Sequence, residues 1–170
     1  LILIAHRVSC GLQHLHRLGI LHEDFKPDNI LLTKDGRPLL ADLGVGNEGT
    51  VEDGKVRAML RGGTPVYASP NVRTLFFKAK ALPVTQRNNF LQQHPITHLG
   101  DFVALGAPIL DMFAECGWRQ GRSVAEALAS AGDLVPLVEG VELQVAVPKG
   151  CIEVLQTCFS ADQSITVDSI

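Results

Sequence analysis

The chain has 170 residues, of which 46% are hydrophobic and 19% charged. This is ordinary globular chemistry, and a chain of this size buries roughly 70% of the surface that its unfolded form exposes. The balance of 15 Lys and Arg against 18 Asp and Glu leaves a net charge of −3, which gives no argument for nucleic-acid binding or a basic membrane face.

The opening stretch, LILIA, is cut short by His6 and Arg7. It is too brief to span a bilayer and lacks a cleavage-site pattern, so no membrane segment is expected in this chain. The chain starts at Leu1, without Met and inside a helical pattern, which reads as truncation. Leu1, Ile4, Val8, Leu12 and Leu15 recur at the steps of one helical face, and Gly19 stands where a left-handed cap would stop the helix. His14 and His16 are two apart and face different ways on a helix. They read as surface or partly packed imidazoles rather than metal ligands. Cys10, Cys116, Cys151 and Cys158 form no Cys-x-x-Cys pair. They read as reduced, mostly buried thiols of a cytoplasmic protein, which leaves membrane tethering of a longer parent open.

Short strands follow at 20–21, 30–32 and 39–41, with Asp35–Gly36 as the tip of a turn between the last two. The polar loop HEDFKPDN, residues 22–29, leaves the first strand and enters this hairpin. The hairpin returns Asp42 toward the same end, so Asp24, Asn29 and Asp42 can converge at one edge. Two carboxylates and a carboxamide beside the Lys26 ammonium suit divalent cations that bridge phosphates. The plain alternative is a solvated loop that is merely polar. Farther on, TLFFKAKAL reads as a helix and QQHPITHLG as a loop, with His94 and His98 as surface groups. The long connection from Asn71 to Asp101 leaves room for an added docking surface. Val103, Leu105, Ile109, Leu110 and Phe113 mark the buried side of a central helix that Pro108 should kink. Ser123 and Glu126 form a capping box for a helix that Gly132 ends. Ile152, Leu155 and Phe159 mark one face of a last helix, and Trp118 reads as a packing residue.

His-x-Asp-x-Lys-Pro-x-Asn at 22–29, followed by Asp-x-Gly at 42–44, resembles the catalytic loop and magnesium loop of eukaryotic protein kinases. GTPVYASP at 63–70 is similar to the end of a kinase activation segment. DFVALG at 101–106 resembles the start of the long central helix of the large lobe, and CFSAD at 158–162 the tail of a late helix. These motifs stand in the family's order and cover nearly the whole chain. The resemblance implies a kinase C-lobe, mainly α with a small β-hairpin region. Its catalytic loop would be 22–29, its activation segment 42–71 and its helical remainder 72–170.

The resemblance also implies roles. Asp24 would orient or accept the proton of a substrate hydroxyl, and Lys26 would pair with the transferring phosphate. Asn29 and Asp42 would hold Mg²⁺, and Leu31 would lie under the adenine of ATP. Thr64 would bond the Asp24–Lys26 pair and help form the platform for a protein substrate. Asp101 would tie down the catalytic loop, while His22 and Leu43 would stack in a supporting spine. Phe25, Pro27 and Asp28 read as a packed ring, a rigid turn and a solvated acid. Lys26 two residues after Asp24, and the Thr-Pro of GTPVY, resemble Ser/Thr kinases rather than Tyr kinases or small-molecule phosphotransferases.

Departures from the family pattern matter as much. Glu23 replaces the Arg that normally binds a phosphorylated activation segment, and its charge would repel phosphate. Phosphorylation of Thr50 or Thr64 is therefore not expected to act through Glu23. Leu43 stands where the family usually has Phe. Asn71 replaces the Glu of Ala-Pro-Glu, and the final ADQSITVDSI offers no Arg to pair with it. Losing both is coherent, since one buried charge left alone costs about 3–5 kcal/mol. No glycine-rich phosphate loop, Val-Ala-x-Lys or paired helix Glu is found. The small N-terminal lobe is thus expected to be absent, a missing partner whose lack leaves the chain weak or inactive alone. The alternative function is a non-catalytic, pseudokinase-like binding module.

Overall fold

The computed structural model describes residues 2–113, with side chains described over 3–106. The readings for Ile109, Leu110, Phe113, Cys116, Trp118, the helix after Ser123 and the late helix with Cys151 and Cys158 lie outside these residues or side chains.

Helix α1 spans Ile2–Arg17. Val8 and Leu12 of the apolar stripe are buried, Ile4 and Leu15 half-buried, and the chain turns out of the helix at Gly19 (φ +76°). Strand β1 (Ile20–Leu21) follows, then a 3-10 turn (Pro27–Asn29) that starts at proline. Strands β2 (Ile30–Leu32) and β3 (Pro38–Leu40) form the expected hairpin, with Ile30 opposite Leu40 and Leu31 opposite Leu39.

The expected mainly α fold with one small hairpin is corrected here. Four more strands are present: β4 (Asn47–Glu48), β5 (Thr50–Glu52), β6 (Lys55–Ala58) and β7 (Ile96–Thr97). Among the described residues they bring the total to seven strands in three sheets, β1–β4, β2–β3 and β5–β6–β7. The physical reason is a second hairpin in the segment read as an irregular activation loop. Asp53 (φ 50°) and Gly54 (φ 70°) both adopt left-handed backbone between Glu52 and Lys55, which are paired across the ladder. Two positive φ values in a two-residue loop are the turn whose twist suits antiparallel strands, and Asp-Gly supplies it readily.

Strand β6 is central to the three-stranded sheet. Its inward residues Val56 and Ala58 join Leu21, Leu60 and Ile96 in a buried cluster. Each such Val, Leu or Ile contributes about 1.5–3 kcal/mol by leaving water. Helices α2 (Pro70–Ala81) and α3 (Val84–Gln93) cover the cluster with Val72, Leu75, Phe76 and Leu91. Ser69 caps α2, its Oγ accepting the Val72 N–H at 3.3 Å, with Pro70 at the first helical position. Helix α4 (Leu99–Phe113) runs through Pro108; Phe102, Ala104 and Leu105 are buried and Val103 half-buried.

Two histidine readings are also corrected. His98 is wholly buried, its Nδ1 accepting the Val56 N–H at 3.3 Å, because β7 pairs the supposed loop with β6 as an edge strand of the sheet. His16 is wholly buried too, drawn in by Asp101. His14 and His94 are exposed, and so is the Cys10 thiol, against the expectation of a buried one. Among the described residues no helix is long and apolar enough to cross a membrane.

Candidate active site

The polar loop is fixed from below by one carboxylate. Asp101, in the first turn of α4, is buried. Its Oδ2 accepts the His22 N–H at 2.8 Å and bonds His16 Nε2 at 2.9 Å, while Oδ1 accepts the Glu23 N–H at 2.9 Å. Burial works against the charged form of Asp101, but the His16 and backbone donors outweigh it and hold the carboxyl below the usual range. His22 is itself buried, edge-on to Phe25, with Nε2 3.2 Å from the Ala41 carbonyl. That contact ties the loop to the hairpin strand β3. Leu43, expected to stack with His22, is 46% exposed.

Above this anchor, three side chains close a ring of hydrogen bonds. Lys26 Nζ donates to Asp24 Oδ2 at 2.6 Å and to Thr64 Oγ1 at 3.0 Å, and Thr64 Oγ1 donates to Asp24 Oδ1 at 2.6 Å. Partial burial raises the Asp24 carboxyl, but the Lys26 and Thr64 bonds and the Lys26 charge outweigh that and hold it below its ordinary value. The Asp24 bond likewise raises Lys26, helped by the charges of Asp28 and Asp42. Asp24 is thus an ionised acceptor whose geometry is set by Lys26 nearby and by Thr64, 40 positions farther along the chain.

Asn29 completes the arrangement. It is buried, and its Nδ2 donates to the Asp24 carbonyl at 2.8 Å. This use of the nitrogen leaves the amide oxygen as the end able to face a cation. The Asn29 carbonyl accepts the Ala41 N–H at 2.9 Å, which sets Asp42 next to the Asn29 turn. Asp42 is exposed, and its Oδ1 accepts a long 3.2 Å bond from Gly44 N. Asp42 (φ 60°) and Glu23 (φ 62°) both hold left-handed backbone, the kind of local strain that collects where side chains must be aimed. An amide oxygen and a carboxylate fit the hard-oxygen preference of Mg²⁺, which usually completes its shell with water and phosphate oxygens. Among the described residues no group of three or more His, Cys, Asp or Glu forms a metal cage. Leu31 is 53% exposed on the hairpin.

Glu23 is the feature that the sequence pattern did not explain. Its Oε2 accepts the Arg61 backbone N–H at 2.8 Å, and its Oε1 is buried with no hydrogen-bond partner among the described residues. Burial is the main reason that this carboxyl is pushed up to about 7; the Arg61 amide opposes the shift and the Asp101 charge adds to it.

Comparison with known proteins gives the family. The profile described as Protein kinase domain matches residues 1–164. A probable cell division protein kinase of Encephalitozoon cuniculi is 29% identical over 173 residues, covering 98% of this chain and 58% of its own length. A human rhodopsin kinase is 31% identical over 65% of this chain and 16% of its own length. G protein-coupled receptor kinase 2 of Drosophila melanogaster is 46% identical over 40% of this chain and 9% of its own length. The chain therefore spans well under two thirds of the length of these relatives. The profile match overturns two expectations. It runs through nearly the whole chain as one kinase domain, and strand-forming segments are spread from Ile20 to Thr97 rather than confined to one hairpin. Assignment to the C-terminal large lobe alone is withdrawn, and so is a missing N-terminal lobe as partner. The chain belongs to the protein kinase family.

Proposed function

We propose that this protein transfers the terminal phosphoryl group of ATP, with Mg²⁺, to Ser or Thr hydroxyls of a protein substrate. The observation that carries this reading is the closed ring of Asp24, Lys26 and Thr64. An ionised acceptor held by an ammonium and a hydroxyl is the arrangement needed to orient a substrate hydroxyl and take its proton. Such help is typically worth about 10²–10⁴ in rate. Lys26 would also meet the phosphoryl oxygens, and Asn29 and Asp42 would hold Mg²⁺ through oxygen. Bound Mg²⁺ would neutralise the phosphate charge that builds up during transfer. Leu31 would offer an apolar floor to adenine, and Thr64 would join the substrate platform.

The test is transfer of labelled phosphate from Mg-ATP to a Ser-containing protein, with Asp24→Asn and Asp42→Asn as controls. Signal that survives both substitutions would sink the reading.

A second reading is a non-catalytic module that binds a partner through the kinase fold. Glu23 favours it, because a carboxylate on the Arg61 amide replaces a phosphate-responsive Arg. Calorimetry separates the two: a module of this kind binds its partner without binding Mg-ATP.

A further inference from the structure

Charge is divided unevenly along this chain. Residues 22–53 hold 8 Asp and Glu against 3 Lys and Arg, whereas residues 54–100 hold 7 Lys and Arg and no acid at all. Part of the basic stretch is accounted for internally. The Arg87 guanidinium donates to the carbonyls of Leu82 (3.0 Å) and Lys80 (3.1 Å), closing the turn between α2 and α3. Arg57 faces Glu52 at 3.8 Å. Lys78 and Lys80, in the last turns of α2, are exposed and make no ion pair among the described residues. Beside them Phe77 is 53% exposed and Val84, at the start of α3, is 74% exposed. Exposed cations around exposed apolar groups form a surface with both charge and contact area to offer.

Its position gives the surface a purpose. Helix α2 begins at Pro70, directly after Ser69, and Ser69 lines the same cleft as Asp24, Thr64 and Tyr67. Lys78 lies eight residues along α2 from Pro70, roughly 12 Å at the helical rise of 1.5 Å per residue. An extended peptide covers that distance in about four residues.

We propose that Lys78, Lys80 and Phe77 on α2 form a docking surface for an acidic segment of the protein substrate, about four to six residues from the hydroxyl presented to Asp24. The inference rests on the kinase reading for the hydroxyl, while the surface itself rests on charge and exposure. An acidic peptide is favoured over nucleic acid because Glu23 and Asp24 line the cleft and the charges of Asp28 and Asp42 reach Lys26, an acidic surround that would repel a continuous polyanion. A peptide can confine its charge to the segment that meets α2.

The experiment is fluorescence anisotropy without nucleotide. The probe is a labelled peptide with one Ser and three Glu placed four to six residues away, compared with the same peptide carrying Lys for Glu. The expected result is preferential binding of the acidic peptide, weakened at least about tenfold by K78E/K80E and by added salt. Both side chains are exposed, and circular dichroism checks that the variant folds. K78Q/K80Q, which removes charge without reversing it, should lie between. Equal binding of the two peptides, indifference to both double substitutions, or tighter binding of a single-stranded oligonucleotide would overturn the proposal. Adding Mg-ATP separates the two claims. Charge-dependent binding without phosphate transfer keeps the docking surface and removes the kinase reading. Equal transfer to the Glu and Lys peptides keeps the kinase reading and removes the docking surface.

Discussion

Glu23 Oε2 accepts the backbone N–H of Arg61 at 2.8 Å, so a side chain of the 22–29 loop holds a segment 38 positions farther along the chain. The same carboxyl is pushed up to about 7, chiefly by burial, and its other oxygen is buried with no partner among the described residues. The sign of the pH effect follows. A carboxyl raised in the folded state favours folding fully below its unfolded value near 4.5, and this contribution is lost as pH rises through about 7. After allowance for solvent screening, the loss is on the order of 1–2 kcal/mol. Glu23→Gln keeps an oxygen for the Arg61 amide and cannot ionise. Urea midpoints should fall between pH 5 and pH 8 in the native protein more than in Glu23→Gln. Parallel profiles would show that Glu23 titrates normally.

Thr64 binds both members of the Asp24–Lys26 pair, and Thr64→Val removes both bonds while keeping the shape. Stability should drop by about 1–2 kcal/mol. The Asp24 carboxyl should also move up, because one of the donors holding it below its ordinary value of 3.8 is gone. A lowered carboxyl supports folding above its unfolded value and loses that support as pH falls through the folded one. Thr64→Val should therefore tolerate acid with less relative loss. A carbon-13 titration of the Asp24 carboxyl reads the shift directly, and an unchanged titration would mean that Thr64 does not tune Asp24.

How much of this was legible depends on whether the cause was local. The α1 stripe ending at Gly19 and the Asp35–Gly36 hairpin are set by neighbours in sequence, and pattern alone finds them; TLFFKAKAL reads as a helix, but its start at Pro70 under a Ser69 cap is seen only in the structure. The spacing of Asp24, Lys26 and Asn29 pointed to one loop, and the structure brings these three together with Thr64. The burial of His16 and His98 was not legible. It depends on Asp101 and on the pairing of β7 with β6, contacts 85 and 42 residues apart in sequence. The β5–β6 hairpin could have been found: Asp53–Gly54 lies between Thr-Val-Glu and Lys-Val-Arg-Ala, a turn signal between strand formers. Glu23 stands out in the sequence as a departure, but its hold on Arg61 joins residues 38 positions apart and leaves no local signal.

Asp101 should be the least replaceable side chain in the described region. It receives the amides of His22 and Glu23 and the ring of His16 within 2.9 Å. Asn supplies only one acceptor oxygen, and its amide nitrogen would face a donor. Asp101→Asn should cost about 3–5 kcal/mol, the usual scale for breaking a buried charged network. Amide exchange at His22 and Glu23 should rise with it. Native-like protection at those two amides would mean that other contacts hold the loop.

Gly63 offers a sharper test of how Thr64 is placed. Its φ is +110°, and a Cβ there would stand 2.3 Å from the Glu23 carbonyl oxygen. A backbone carbonyl cannot swing aside as a side chain can, so Gly63→Ala must displace either the 22–29 loop or the segment carrying Thr64. Gly36 also has positive φ (+75°), but nothing lies within 4 Å of its would-be Cβ. Gly36→Ala therefore isolates the intrinsic cost of a left-handed alanine, about 1 kcal/mol. Gly63→Ala should exceed that by at least about 1–2 kcal/mol in chemical denaturation. It should also raise the Asp24 carboxyl as Thr64→Val does, because the hydroxyl is carried out of reach, while Gly36→Ala leaves Asp24 unchanged. Equal stability losses at the two glycines would mean that residue 63 has room to spare, and that Thr64 is not held against Asp24 by this close approach.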